Sequence, residues 1–445
     1  MARTDQNYVA VIGAGPAGLF GAFELASQGA EVVIFNRDIK PGGLAEYGIY
    51  PSKYRLRQGL RAQFRTILSM QGIDYFGNVT IGDHADISLK ELPQLGFHAV
   101  LVTAGAQGIK WLGIPGERGE GVYHAKDIVY HYNNLPPFST HSFHIGEKVA
   151  IIGMGNVMVD IARWLITERN VKEVIAIGRR GPSEVKFDKK EFSEIVPYLD
   201  LAEFNHEINR CTELMTSLGE DPSEARDMAG AALELADPRL NDAKFSLQFL
   251  HSPREILRDA NGNVTGLVLE ENTLVREGEE IRSRGIGIKH QISVDTVIFA
   301  IGDRVDEDLG LPIEGIEYLK NPNPLYPVDG QSFEMLDQEI GTSLEGIFLA
   351  GWSRTVSKGQ VGIAHKDGVN AARSVLQFLD SRKDWPQWSY AGLNARLAEL
   401  GKFAVRPYDL VKLERAETKE AESRALPEFK FQTNEEMLRV MGYAF

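Results

Sequence analysis

The chain has 445 residues, 43% apolar and 25% charged, ordinary proportions for a folded globular protein and too many for one small core. A formal charge of −14 argues against general affinity for nucleic acid, which depends on a basic surface that neutralises phosphates. The lone cysteine, Cys211, excludes an intramolecular disulfide, a redox-active cysteine pair and an all-cysteine iron–sulfur site within the chain.

In chain order, Tyr8 to Ile12 reads as a buried strand that begins so close to Met1 that no presequence is expected. With no apolar run long enough to cross a membrane, a cytoplasmic location is the default expectation. Gly13-Ala14-Gly15-Pro16-Ala17-Gly18 follows and opens a helix-period segment. In that setting Gly13 and Gly15 allow a tight turn and close approach of a pyrophosphate, which lies at the positive end of the helix. Glu31 to Asn36 is a second strand, and Asn36 ends it where a nucleotide ribose is met. Pro41-Gly42-Gly43-Leu44 makes a turn of small residues that lets a flat ring come close. Residues 53–65 carry Lys53, Arg55, Arg57, Arg61 and Arg65 without an acidic residue, and on a helix the last three make one basic stripe. That stripe is either a solvated face or a docking surface for an acidic protein.

Val100 to Gly105 and Thr296 to Ile301 read as buried strands ending in small residues, crossing points between two domains. Between them, the strand Val149 to Ile152 leads into a second fingerprint, Gly153-Met154-Gly155-Asn156-Val157-Met158. The next strand, Glu173 to Gly178, runs into Arg179-Arg180-Gly181-Pro182. An acidic residue there would accept bonds from an adenosine ribose, whereas paired arginines suit a 2′-phosphate, which favours NADPH over NADH. Residues 183–240 read as outer helices, with Lys186, Lys189 and Lys190 clustered at their start. Ile347 to Trp352 is a further strand, and Gly362-Ile363-Ala364 opens a helix toward Leu379 whose N–H groups could face a reduced ring. The last sixty residues read as a helical C-terminal appendage. The expected fold is α/β, two Rossmann-like dinucleotide-binding domains with the second inserted in the first: 1–108, 109–304 and 305–445.

These residues resemble the adrenodoxin-reductase type of NADPH:ferredoxin oxidoreductase, a relative of the glutamate synthase small subunit. The resemblance runs from Val11-Ile12-Gly13 through Gly18, Gly43-Leu44 with Tyr47-Gly48, and Ile114-Pro115-Gly116-Glu117. It continues with Gly155-Asn156-Val157 before Asp160-Ile161-Ala162-Arg163, Gly178-Arg179-Arg180-Gly181-Pro182 with Phe187 and Glu191, and Gly351-Trp352. It implies FAD in the outer domain and NADPH in the inner one. By carry-over Ala17, Leu44 and Val79 would line FAD, with Trp352 and the Gly362-Ile363-Ala364 backbone near its ring. Gly155, Asn156, Val157, Arg179, Arg180 and Glu191 would hold NADPH.

Four departures stand out. Asn36 replaces a glutamate that meets the FAD ribose, and its amide is expected to bond a hydroxyl in its place. Met158 replaces the third small residue of the second fingerprint, with the expectation that it pushes helix and strand apart or shifts the nucleotide. Ser52-Lys53 stands where vertebrate members carry Asp-His, and the stretch from Trp352 to Gly362 is longer.

The implied reaction passes a hydride from NADPH to FAD and then single electrons to a one-electron carrier, with no acid, base or nucleophile from the protein. No catalytic side chain and no metal site are therefore read. The expected partner is an acidic ferredoxin or flavodoxin, docking on Lys53, Arg57, Arg61, Arg65 and on Lys186, Lys189, Lys190, with neither nucleic acid nor membrane. Rival readings are an electron-input subunit of a larger oxidoreductase such as glutamate synthase, an FAD/NADPH monooxygenase, and a non-catalytic nicotinamide sensor.

Overall fold

The computed structural model describes residues 6–185, 187–278, 280–357, 360–382, 385 and 387–444. They form two compact units, one of residues 1–109, 130–140 and 302–445, the other of 110–129 and 141–301. The first stretch supplies strand β1 (Tyr8–Ile12), helix α1 (Pro16–Ser27), β2 (Glu31–Asn36), α2 (Tyr54–Leu68), β3 (Ile73–Gly77) and β4 (Ala99–Val102). The inserted unit supplies β5 (Val122–His124), β6 (Lys148–Ile152), α3 (Asn156–Thr167), β7 (Glu173–Ile177) and α4 (Leu201–Ser217). It continues with β8 (Lys244–Gln248), β9 (His251–Arg258), β10 (Val264–Glu277), β11 (Glu280–Ile292) and β12 (Thr296–Phe299). After the return come β13 (Glu334–Leu336), β14 (Ser343–Leu349), α5 (Val361–Asp380), α6 (Pro407–Ser423) and α7 (Asn434–Met441).

The first unit's sheet runs β13-β14-β4-β1-β2-β3, parallel throughout except for the edge strand β13. Such a sheet is covered on both faces, and β1 alternates accordingly. Val9 and Val11 enter one core cluster, while Ala10 and Ile12 enter the other. Ile12 pairs with Phe35 and with Val102, so three strands end level and their following loops share one sheet edge. Helices α6 and α7 are no appendage: Leu410, Leu413, Met437, Leu438 and Met441 are buried in the same cluster as Val9 and Val11. At roughly 1.5–3 kcal/mol per fully buried large apolar side chain, this segment is part of what holds the unit together.

The second unit has an all-parallel sheet in the order β5-β12-β6-β7-β8. It also contains an antiparallel meander, β9-β10-β11, which the sequence does not announce. Among the described residues no helix is long and apolar enough to cross a membrane.

Candidate dinucleotide sites

In the first unit, Gly13 has φ +99°, and a β-carbon there would lie 2.7 Å from the Thr103 carbonyl oxygen. Gly18 is tighter still, since a β-carbon would meet the Gly13 oxygen at 2.1 Å. Gly15 is different: nothing lies within 4 Å of where its β-carbon would be. It is the N-cap of α1 and has no side-chain cap, so the first N–H groups of the helix lack that partner, as an anion site requires. The turn is braced by Thr103, whose hydroxyl donates to the Ile12 and Gly13 oxygens at 2.9 and 2.7 Å. In the sequence Thr103 is only one of several small residues at a strand end, and nothing in its context marks it.

Asn36 is buried, and its amide is spent inside the protein. Its Oδ1 accepts from the Ala14 N–H at 2.9 Å, and its Nδ2 donates to the Asp38 and Lys40 oxygens at 2.7 and 3.1 Å. The expectation that this amide meets a ribose is therefore corrected: Asn36 fixes the fingerprint turn instead. The Gly42 N–H donates to the Ala14 oxygen at 2.7 Å, and Gly43, at φ +51°, leads into the short helix Leu44–Tyr47. A cavity of about 390 Å3 opens beside the end of β2, lined by Arg37, Asp38, Ile39, Tyr47, Asn78, Thr80, Leu135, Pro136, Pro137, Phe138 and Asn434. The Asp38 carboxylate raises the Arg37 pKa further, so the guanidinium at this cavity is a fixed positive charge. Leu44 packs with Tyr47, Tyr130, Leu135 and Phe138. Val79 is buried and donates its N–H to the Asn36 oxygen at 3.0 Å.

Trp352 follows β14 and is half-buried, packed on the core cluster that holds Ile12 and Phe35. Its neighbour Gly351 donates its N–H to Asp367 Oδ2 at 2.7 Å, and Asp367 also holds Arg354. Asp367 lies within α5, so the helix start at Val361 is anchored to the Gly351 turn. Gly351 in turn sits against Ala17, where a β-carbon would come within 2.8 Å of the Ala17 side chain. Gly362, Ile363 and Ala364 form the first turn of α5, with no side-chain cap, and Gly362 has open space around it. The structure thus gathers Gly13, Gly15, Ala17, Gly18, Gly43, Trp352 and the start of α5 around one end of the sheet.

The basic stripe requires a correction. Helix α2 does carry Arg57, Arg61 and Arg65 on one side, but Arg57 is 2% exposed and bonds Glu428, the Ile49 oxygen (2.8 Å) and Asn133 Oδ1 (3.2 Å). Arg61 donates Nε to Glu46 at 2.6 Å and pairs with Glu428 at 2.7 Å. Burial raises the Glu46 pKa, but Lys40, Lys430 and Arg61 outweigh it and hold this carboxyl well below its usual range. Of the three, only Arg65, 58% exposed in its side chain and paired with Glu414 at 3.1 Å, faces solvent as a docking stripe requires. Lys53 is half-buried.

In the second unit, Gly153 has φ +132° and a β-carbon there would lie 2.2 Å from the Ala300 oxygen, while Gly155 is open and leaves α3 without a side-chain cap. Met154 lies over Gly178, its Cγ 2.7 Å from where a β-carbon would stand there. Met158 is completely buried and its N–H bonds the Gly155 oxygen at 3.0 Å; Val157 is 43% exposed. Asn156 Oδ1 accepts from the Asp188 N–H at 3.1 Å, and Asp188 caps the turn Lys189–Phe192 by accepting from the Glu191 N–H at 2.9 Å. Asn156 therefore positions the segment that carries Glu191, a role its place in the motif does not reveal. Arg180 pairs with Glu184 at 2.6 Å. Arg179 is exposed and, among the described residues, its guanidinium has no partner, while its carbonyl oxygen accepts from Asn272 Nδ2 at 3.0 Å. Lys189 and Lys190 are exposed; Lys186 lies outside the described residues.

Residues 7–197 match the family model described as pyridine nucleotide-disulphide oxidoreductase. The chain is 28% identical to the mitochondrial NADPH:adrenodoxin oxidoreductase of Salvelinus fontinalis, over 97% of this chain and 90% of that protein. It is 26% identical to the NADPH-ferredoxin reductase FprA of Mycobacterium tuberculosis, over 85% of each. The structure of that FprA in complex with NADPH superposes with a TM-score of 0.82 at 23% identity, covering 98% of this chain and 99% of that one, a match of fold. Fold and fingerprints together define an oxidoreductase with two Rossmann-like dinucleotide-binding units. Within that class, the relatives it is similar to over most of its length are named NADPH:adrenodoxin oxidoreductase and NADPH-ferredoxin reductase.

Proposed function

We propose that this enzyme moves electrons from NADPH through FAD to a ferredoxin or flavodoxin. The cofactors are FAD and NADPH, the first held by the unit that starts at β1 and the second by the inserted unit. The observation that carries the reading is the pair of uncapped helix starts at Gly15 and Gly155, each with open space before it. In the second unit they are joined by the Arg179 guanidinium, unpaired among the described residues.

The residues present fit both groups. The first pyrophosphate would lie against Gly15 and the N-terminus of α1, with Ala17 and Gly18 keeping the backbone close and Gly43-Leu44 covering its flank. The cavity at Arg37 and Asp38 would take the adenosine half, with Val79 packed behind it, and Trp352 and the start of α5 at Gly362, Ile363 and Ala364 would face the ring. The second dinucleotide would lie against Gly155, Asn156 and Val157, with Gly153 and Met154 shaping the turn, Arg179 on the 2′-phosphate, Arg180 beside it and Glu191 on the segment positioned by Asn156. Bound flavin supplies the conversion of a two-electron donor into a one-electron one. The protein's own work is to orient: helix N-termini and Arg179 offer charge in fixed positions, and the braced turns keep them there.

The carrier is an acidic protein. With Arg57 and Arg61 neutralised internally, the cations presented to it are Arg65, Lys53, Lys189 and Lys190. The decisive experiment is anaerobic reduction of a low-potential ferredoxin by the purified protein with NADPH and then NADH. Fast, salt-sensitive reduction preferring NADPH supports the reading; flavin reduction without ferredoxin turnover moves the search to another acceptor.

A further inference from the structure

The meander of the second unit brings together three residues that the electron-transfer reading does not use. His251 begins β9, Glu271 lies on β10 and His290 on β11, so each strand contributes one. His251 pairs directly across the ladder with Glu271, and His290 pairs with Leu269, two residues before Glu271. Glu271 falls at the irregularity of the β10–β11 ladder between Glu270 and Asn272, a distortion of the kind that re-aims a side chain. One ligand atom from each of the three lies within 4.8 Å of the other two. The two imidazoles meet edge to face, with ring centres 4.8 Å apart.

Two further facts distinguish this cluster from a chance neighbourhood. His251 is 7% exposed, and its Nδ1 is buried without any hydrogen-bond partner. A buried imidazole nitrogen without a partner is uncommon, because nothing then replaces the hydrogen bond it gave up to water. The Phe249 backbone hydrogen-bonds the ring, but Nδ1 itself gains no partner. The nearby cation, Arg210, is held by Glu207 at 2.9 and 2.8 Å and by the Phe249 oxygen at 2.7 Å, and the Glu271 carboxylate adds to the negative field around it.

We propose that His251, Glu271 and His290 form a site for a divalent transition ion of the zinc class, clipping the three strands of the meander together. Two imidazoles and a carboxylate are the donor set such an ion takes, with water completing the tetrahedron. Ligands about 2.0–2.2 Å from the ion stand roughly 3.5 Å apart, so the three atoms must close by about an ångström. Glu271 and His290, both half-buried, have the freedom to move. The site also lies next to the nucleotide arginines: the His251 N–H donates to the Gly178 oxygen at 3.0 Å, and the Leu250 N–H to the Arg180 oxygen at 3.1 Å.

The test uses the full-length, flavin-loaded protein without a histidine tag, stripped with chelator and titrated with zinc against a chromophoric chelator. The expected result is one equivalent bound at micromolar free zinc or tighter. His290→Gln and Glu271→Gln should each weaken binding by more than the roughly tenfold that follows loss of even an outer-shell partner. Zinc should also raise the unfolding temperature of the parent and leave that of His290→Gln unchanged. Both variants remain informative because flavin content and circular dichroism report folding independently of zinc. Absence of stoichiometric binding, or binding unchanged in both variants, would overturn the proposal; in the second case the ion sits elsewhere, such as at the exposed His84–Asp308 or His144–Glu120 pairs.

Discussion

In the first unit Gly13 turns at φ +99° against the Thr103 oxygen, and in the second Gly153 turns at φ +132° against the Ala300 oxygen; Gly15 and Gly155 both face open space. The backbone device is the same, but the charges around it are arranged oppositely. Near the first fingerprint Lys40, Arg57 and Lys430 are buried and Arg61 is partly buried, all of them matched to Glu46, Glu417 and Glu428. Near the second, Arg179 is exposed and unmatched among the described residues. Cations compensated within the fold serve packing, and a cation left without an anion is the one available to a ligand. The third position of the turn differs too. Gly18 faces the Thr103 hydroxyl, whereas the second unit places Met158 and Ala300 at the corresponding points, so bulk on the helix is traded against bulk on the strand.

The largest effect should come from breaking the compensated side. Arg57→Met leaves Glu428 without one of its two arginines and strands the Ile49 and Asn133 acceptors, so we expect a loss of about 3–5 kcal/mol in urea unfolding. Dye and ferredoxin reduction should fall together, because the fold is what suffers. The same network makes the first unit sensitive to acid. Burial raises the Glu428 pKa, but Arg57, Arg61 and Lys430 prevail and lower it, as Lys40, Lys430 and Arg61 do for Glu46. Carboxyls with depressed folded pKa values contribute stability above the ordinary carboxylate range and lose it as pH falls through their folded values. Unfolding midpoints measured from pH 7 down to pH 3 should drop for the parent and change less for Glu428→Gln, which begins lower.

Next comes Met158→Ala in the second unit, where removing a fully buried side chain should cost about 2–5 kcal/mol. If Met158 were instead a wedge between helix and strand, the variant would be stabilised, and the correspondence with Gly18 and Thr103 would fail. Differential unfolding with and without bound NADP+ separates the two outcomes.

Much of this is legible in the sequence, because strands, turns and fingerprints are local. The strand Glu31–Asn36 matches its expected span residue for residue, and Lys148–Ile152 and Glu173–Ile177 differ from expectation by one residue at an end. The meander is hidden because β11 alternates exposed and half-buried residues and carries charges at Glu280, Arg282, Arg284 and Lys289, which resembles a polar loop. The fate of the arginine stripe is illegible for another reason. Glu428 lies 371 residues from Arg57, and a count of charges within residues 53–65 cannot see it. Asn36 misleads in a similar way: its place at a strand end is as expected, but Ala14, Asp38 and Lys40 take up its amide. The His251, Glu271 and His290 cluster has no motif spacing, since only the strand pairing brings its members together.

The uncompensated side should respond in selectivity while its stability holds. Arg179→Gln removes a charge-assisted contact worth about 1.5–3 kcal/mol, so the ratio of kcat/KM for NADPH over NADH should fall by roughly ten- to a hundredfold. Arg180→Gln should do less, because Glu184 already engages its guanidinium. Equal losses from the two variants would mean that the Arg180–Glu184 pair opens when the nucleotide binds.

The smallest effect belongs to the surface. Arg65 is 58% exposed and, among the described residues, tied only to Glu414, a pair worth about 0–1 kcal/mol, so Arg65→Glu should leave unfolding almost unchanged. If an acidic carrier docks here, the same substitution slows ferredoxin reduction several-fold at low salt, and the deficit closes as ionic strength rises and shortens the screening length. Reduction of a small uncharged dye should be unaffected, which separates docking from damage to the fold. Lys190→Glu, on the second unit, is the matched experiment. If only Lys190→Glu lowers the rate, the carrier reads the unit with uncompensated cations, and the division between compensated and uncompensated charge governs protein recognition as well as nucleotide binding. If only Arg65→Glu lowers it, one exposed arginine at the end of an otherwise neutralised stripe suffices, and the internal pairing of Arg57 and Arg61 serves to hold the helix that presents it.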